Sequence, residues 1–377
     1  MNALIKHLGL SLGLSLCLLA QPQVPDKKLE ASPGQTLDVK LETGGSIHIR
    51  GGAEHAVTVK TKLTGRDADQ IRVSVERSSG GVSIVSKYET NRSRQSGSAD
   101  LEITVPGRFD LDLKSAGGDL RIEGVEGNLR GKTMGGGLDL SHLKGKVALS
   151  SMGGSISLVS SQVEGKVSTM GGTVTIKDVV GDIKGSSMGG NVVYDNVQRP
   201  GKTADEKEVV ISTMGGEIRV PAAPSGANVK TMGGSIHIGS AKTFVKATTM
   251  GGSIDIKELD GGAIATTMGG DISVTMVGDP AVGNRDVRLE SKGGEIHLTL
   301  PAGLSMTVDV EIEHTKNSTR TFKIDSEFPL AISETPEWSE SRGTARKTLK
   351  GTASIGGGKH KIVIRTINGN VVIKKGR

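Results

Sequence analysis

The 377-residue chain has a single cysteine, Cys17, and few rings: one Trp, two Tyr and four Phe. A lone thiol excludes a disulfide framework and a cysteine-built metal site. So few aromatics leave no platform for stacking sugars or nucleobases. Blocks of like charge are also missing. The 47 basic and 41 acidic residues are interspersed, so the net charge of +6 reads as a solvated surface and not as a nucleic-acid footprint. Beyond the first twenty residues, no apolar run is long enough to cross a bilayer as a helix. Those twenty, MNALIKHLGLSLGLSLCLLA, place Lys6 and His7 ahead of an apolar run from Leu8 to Ala20. The run is short for a span and QPQVPDKK follows at once, the pattern of a secretory signal peptide over 1–20 cleaved after Ala20. Cleavage removes Cys17 and Lys6, leaving a chain without cysteine and lowering +6 to +5. Leu16 is bulky and Leu18–Leu19 continue the apolar core, which speaks against a lipidated Cys17.

Glycine, by contrast, is abundant: 55 residues, about twice the usual share of roughly 7%. It is also periodic. Met-Gly-Gly occurs eight times, beginning at Met134, Met152, Met170, Met188, Met214, Met232, Met250 and Met268. Successive positions differ by 18, 18, 18, 26, 18, 18 and 18. Ala116-Gly117-Gly118 lies 18 before the first, and Lys292-Gly293-Gly294 lies 24 after the last. A fixed short period over this length marks a stacked repeat architecture.

Each repeat alternates as a strand does. Three and five positions after the first glycine stand pairs such as Leu138/Leu140, Ile156/Leu158, Ile254/Ile256 and Ile296/Leu298. All twenty such residues from Leu120 to Leu298 are apolar, with a mostly polar residue between. That is one buried face with period two. Two positions before the first glycine are Thr133, Ser151, Thr169, Ser187, Thr213, Thr231, Thr249 and Thr267, the end of a second strand. Two strands and two corners in each period predict an all-β, single-chain β-solenoid (a β-helix) with 18-residue coils. Gly-Gly is then a corner, expected to supply positive φ and room for stacking. The two longer coils carry surface excursions, QRPGKTADEKE and VGDPAVGNRD.

A stack of coils needs closed ends. Residues 21–116 are expected to form an N-terminal β cap with the first irregular coils, 117–298 the regular solenoid, and 299–377 a C-terminal β cap with the longer strands MTVDVEIEH and KHKIVIRTINGNVVIKK.

Val105-Pro106, Ser115-Ala116-Gly117-Gly118-Asp119-Leu120 and Thr366-Ile367-Asn368-Gly369-Asn370-Val371 carry a resemblance. The chain resembles a bacterial β-strand-repeat family described as candidate adhesins and otherwise of unknown function. That family shows a signal peptide, a Val-Pro step before the first regular coil, and Thr-x-Asn/Ser-Gly-Asp-Ile corners. The resemblance covers nearly all of the mature chain, departs from the family in its uniform Met-Gly corners, and brings no catalytic residues. It implies a non-enzymatic, exported β-solenoid of the cell envelope, periplasmic, surface-bound or extracellular. Its partner would be an envelope, surface or matrix component and not nucleic acid, with no transmembrane segment after signal cleavage.

Rival chemistries are poorly served. His48, His237 and His297 share an outward column but sit coils apart, whereas zinc needs three or four converging ligands. Calcium-binding β-rolls need recurring Asp and a third Gly, both missing here. A β-helix polysaccharide-active enzyme is the main alternative, and it needs paired carboxylates. Asp139 and Asp255 share a column several coils apart. The third possibility is a soft-metal binder, since eight of the eleven Met residues fall in one ladder and thioethers suit copper(I). Packing is the favoured role for them: Met134 through Met268 are expected to lie as a mostly buried corner spine, turned over the core by the Gly-Gly that follows. No catalytic, cofactor-binding or metal residue is therefore assigned, and no cofactor.

Overall fold

The computed structural model describes residues 23–90, 95–198, 209–339 and 345–376. The signal peptide expected over 1–20, its cleavage site and Cys17 lie outside the described residues, as does nearly all of the excursion at 198–208. Among the described residues the protein is all-β. Apart from the short 3-10 turn Ala68–Gln70, every regular element is a strand, and all strands join one hydrogen-bonded sheet.

The alternating residues make these strands by burying one side. All twenty apolar residues of the repeat are buried, none more than 2% exposed. Pairing is parallel, and its register is the sequence period. Leu138 stands opposite both Leu120 and Ile156, one period away on either side. The same column runs on through Val174, Val192, Ile218, Ile236, Ile254, Ile272 and Ile296. The two longer steps therefore keep register, and their extra residues loop out. A second column holds the strands that precede the glycines, with Thr133, Ser151, Thr169, Ser187 and Thr213 in line. Both columns feed one continuous core. Tyr194 shows how closely they approach. It replaces an aliphatic residue, faces Gly185, and takes the Gly185 N–H on its hydroxyl.

One expectation about the corners is corrected. None of the eight Met-Gly-Gly glycine pairs has positive φ. Positive φ survives at this corner only in the end coils, as at Gly44 (77°), Gly118 (90°) and Asn368 (54°), while Gly124 (69°), His142 (54°), Ser160 (48°), Asp178 (52°) and Asn196 (51°) are left-handed at the opposite corner, one per period. Short polar side chains tolerate this conformation better than branched ones. Asn196 also donates to the Asp178 carboxylate at 2.7 Å.

Long excursions of the chain close both ends. The strands Thr36–Leu41 and Ile47–Gly52 stack directly on Asp110–Ser115 and Leu120–Glu123. The residues between them form antiparallel pairs, Ala56–Gly65 with Gly97–Pro106 and Ile71–Ser78 with Gly81–Tyr88. At the other end, His360–Ile367 and Val371–Gly376 stack on Val287–Ser291 and Ile296–Pro301. Met306–Thr315 lies outside them, paired antiparallel with Arg346–Ile355.

The VGDPAVGNRD excursion is held by a buried arginine, 1% exposed. Arg285 donates to the carbonyls of Val277 (2.8 Å), Asp279 (2.9 Å) and Val282 (3.1 Å) and to Asp260 Oδ1 (2.7 Å). Beside it lies His360, 4% exposed, whose Nδ1 accepts the Arg285 backbone N–H at 3.3 Å and whose Nε2 has no partner. Burial pushes the His360 pKa below its ordinary value, Lys359 and Arg285 add to the shift, and Asp286 opposes it. His48 moves the same way, through burial first and then Arg50 and Arg121. The folded chain thus holds fewer protons on these rings than the unfolded chain does as pH falls through about 6.5. More protons on the unfolded state means that stability is full above about pH 6.5 and falls as pH drops below it. Denaturant midpoints should hold steady above pH 7 and decline toward pH 5, and His360→Gln should flatten part of that slope. A slope unchanged in the variant would remove His360 as its cause.

Candidate functional site

The Met-Gly-Gly corner is built by its hydroxyl. In every repeat the Thr or Ser side chain points inward and donates to the carbonyl of the second glycine one coil earlier. Examples are Thr133 to Gly118, Ser151 to Gly136, Thr231 to Gly216 and Thr249 to Gly234, and the eight bonds span 2.7–3.1 Å. The same hydroxyl accepts the N–H of its own second glycine at 2.9–3.4 Å in the seven coils from Ser151 to Thr267. Glycine N–H, hydroxyl and glycine carbonyl thereby form a zipper from coil to coil, satisfying backbone groups that the corner would otherwise leave unpaired. Thr249→Val keeps the shape and removes the zipper at one step, stranding the Gly234 carbonyl and the Gly252 N–H. It should cost about 1–3 kcal/mol, with Thr249→Ser close to neutral. Equal unfolding midpoints for Val and Ser would show that the zipper contributes nothing.

With the hydroxyl fixed inward, the next side chain must point out. Met134, Met152, Met170, Met188, Met214, Met232, Met250 and Met268 are 39–53% exposed. The expected buried spine is overturned: alternation persists into the corner, and the hydroxyl, not the thioether, fills it. Met276 and Met306, on strands, are buried at 1% and 0%. The exposed methionines form an unbroken ladder. Met232, Met250 and Met268 each donate their N–H to the preceding methionine's carbonyl at 3.1–3.2 Å, and Met188 and Met214 stay adjacent across the long coil through Gly215 N–H to Met188 O at 2.9 Å. A groove of about 490 Å³ follows Met152, Met170, Met188 and Met214, with Ser150, Ser168, Ser186 and Ser212 along it.

The other outward rows hold mixed polar side chains. His237 stands between Arg219 and Asp255 in register, with Glu217 and Asp255 oxygens each 3.8 Å from its ring. His48 lies opposite Glu102 and Arg121, and His297 faces Glu295 at 3.4 Å. The three histidines are on separate coils. Asp139 pairs with Arg121 at 3.0 Å and lies six register steps from Asp255, about 29 Å. Among the described residues, no three His, Cys, Asp or Glu side chains come together as a metal would require, and no helix is long and apolar enough to cross a membrane. Two further shallow depressions lie on outward faces. One, of about 520 Å³, is lined by His48, Asp119, Arg121 and Asp139. The other, of about 560 Å³, is lined by Arg130, Lys146, Lys166 and Lys184 with Glu164 and Asp182.

Sequence reasoning found the methionine ladder but turned it the wrong way. The signal that would have corrected it is the hydroxyl before each Met, whose hydrogen-bonding capacity fixes the parity of the corner.

No family model and no curated protein matches the chain. Among solved structures it is similar to a candidate cell adhesion protein from Clostridium sporogenes, 10% identical, covering 93% of this chain and 99% of that one at a TM-score of 0.18. It is also similar to a candidate adhesin from Parabacteroides merdae, 13% identical over 73% and 95% of the two chains at a TM-score of 0.33. A candidate adhesin from Bacteroides fragilis is 9% identical over 93% and 96%, with a TM-score of 0.19. Likenesses at these scores carry no functional conclusion.

Proposed function

We propose that the chain is a single β-solenoid and works as an exported, non-enzymatic rod of the cell envelope, adhesive or structural, engaging its partner along its length. One observation carries this reading: the in-register periodic step turns every outward position into a row. Fourteen residues stack in one column from Leu101 to Ile324, on the order of 60 Å end to end. Recognition on such a surface is extended and repetitive, suited to a polymer or another cell surface. Catalysis needs acid and base groups within reach of one bond, and the outward carboxylates Asp139 and Asp255 are dispersed along the rod.

The N-terminal leader pattern and the resemblance to candidate adhesins support export. Fractionation combined with protease shaving of intact cells should find the protein at the surface, and the purified protein should turn over no envelope or matrix glycan. A strictly periplasmic location would end the adhesive reading and leave the structural one. Glycan cleavage abolished by Asp255→Asn would replace both with an enzyme.

A further inference from the structure

We infer that the methionine ladder binds soft monovalent cations, Cu(I) or Ag(I), each held between thioethers of neighbouring coils. The first support is the choice of residue. An exposed stripe that needed only to be apolar would admit Leu, Ile or Val, as the buried columns do when they mix Ile, Leu, Val and Tyr. All eight corners use Met. Recent duplication does not explain this uniformity, because the flanking positions have diverged. Thr or Ser precedes each Met, and Gly137, Ser155, Thr173, Asn191, Glu217, Ser235, Ser253 and Asp271 follow the Gly-Gly. What distinguishes Met from Leu is a soft sulfur on a flexible stem.

Spacing is the second support. In-register strands lie about 4.8 Å apart, and a metal–sulfur bond is about 2.3 Å. Two sulfurs one coil apart therefore bracket a two-coordinate ion without moving the backbone. The ladder is also open to solvent, at 39–53% exposure, so an ion can reach it.

Hard cations find nothing comparable. Along the groove the neighbours of Met152 to Met214 are Ser150, Ser168, Ser186 and Ser212, with Lys132 and Lys166 at its border. The carboxylates just past the corners are already used: Glu217 binds Arg219 at 2.7 Å and Asp271 accepts the Glu295 N–H at 2.8 Å. With lysines and not carboxylates nearby, the ion is held by soft bonding and not by charge, so affinity should not weaken in a non-coordinating salt such as sodium nitrate. Ala116 and Lys292 take the same corner position in the coils beyond Met134 and Met268 and bound the array.

The test is titration of the full-length chain carrying Cys17→Ser with Ag(I), and with Cu(I) under anaerobic reducing conditions, using Zn(II) and Ca(II) as controls. Eight methionines taken two per ion give about four Ag(I) per chain, with neither control bound. Replacing all eight with Leu should abolish Ag(I) binding while leaving the circular dichroism spectrum and unfolding midpoint near those of the parent. If that variant fails to fold, Met170→Leu with Met188→Leu splits the ladder into two and four methionines and should lower the count from about four to about three. Peroxide mapping gives an independent readout. The eight ladder methionines should oxidise quickly in the native apo protein and slowly once loaded with Ag(I), with Met276 and Met306 protected throughout. Absent Ag(I) and Cu(I) binding, an unchanged count in either Leu variant, equal binding of Zn(II), or oxidation indifferent to Ag(I) would each overturn the inference. None of these outcomes touches the rod reading, which rests on the register and not on the sulfurs.

Discussion

Gly252→Ala should destabilise the protein by about 3 kcal/mol or more, whereas Gly251→Ala, one position earlier, should cost under about 1 kcal/mol. A Cβ on Gly252 would lie 2.1 Å from the Gly234 carbonyl oxygen, against 3.4 Å from the Gly233 oxygen for one on Gly251. The obstacle at Gly252 is backbone that hydrogen-bonds into the next coil, so relief requires prising two coils apart. Backbone strain plays no part, since neither glycine has positive φ. The same contact recurs at 2.0–2.3 Å for the second glycine of every Met-Gly-Gly from Gly136 to Gly270. Urea unfolding of the two variants side by side is the measurement. Matching midpoints would mean that coil spacing yields more readily than the contacts imply.

Ile254→Asp should cost at least about 4 kcal/mol, and Ser253→Asp no more than about 0.5 kcal/mol. Ile254 is 1% exposed in the middle of the stack, between Ile236 and Ile272, and a carboxylate there meets only aliphatic carbon. Ser253 belongs to an outward column that accepts an N–H from the next coil, its hydroxyl taking that of Asp271 at 3.2 Å. Aspartate already does this job at Asp119, which accepts the Gly137 N–H at 2.7 Å, and at Asp271. The adjacent substitutions thus separate the two faces. Similar melting of both proteins would mean that the buried face is misassigned.

Much of the fold was legible because the apolar alternation and the repeat period are local. Leu138 against Leu120 and Ile156 follows from counting. The corner was harder. Thr249 and Met250 are adjacent, and strict alternation turns Thr249 inward and Met250 outward, but a corner is where alternation can break. Whether it does depends on the Gly234 carbonyl and the Gly252 N–H, which are arranged only once the coils stack. Positive φ was expected at Gly-Gly because glycine permits it, yet crowding explains the Met-Gly-Gly glycines, and in those coils the left-handed residues include His142, Ser160, Asp178 and Asn196 across the coil. The ends were illegible for a different reason. Ile47 pairs with Leu120 and Ile296 with Val371 across long excursions. Neither separation is a multiple of the repeat period, so no periodic signal spans them. Of the candidate site, the residues were visible and their exposure was not.

The arrangement at the C-terminal end separates the order of synthesis from the order of stacking. His360–Ile367 lies between Val287–Ser291 and Met306–Thr315 and pairs in parallel with both. A chain delivered from its N-terminus presents Met306–Thr315 first, while the edge of Val287–Ser291 is still open. Val308 and Val287 both face Ile362 in the finished protein, so the strand made last fills the layer between two strands made before it. Each regular coil needs only the coil before it, and closing one short period is quick beside closing a loop several times longer. Stacking up to Pro301 can therefore proceed one period at a time, whereas the layer between Val287–Ser291 and Met306–Thr315 is filled only once His360–Ile367 has been made.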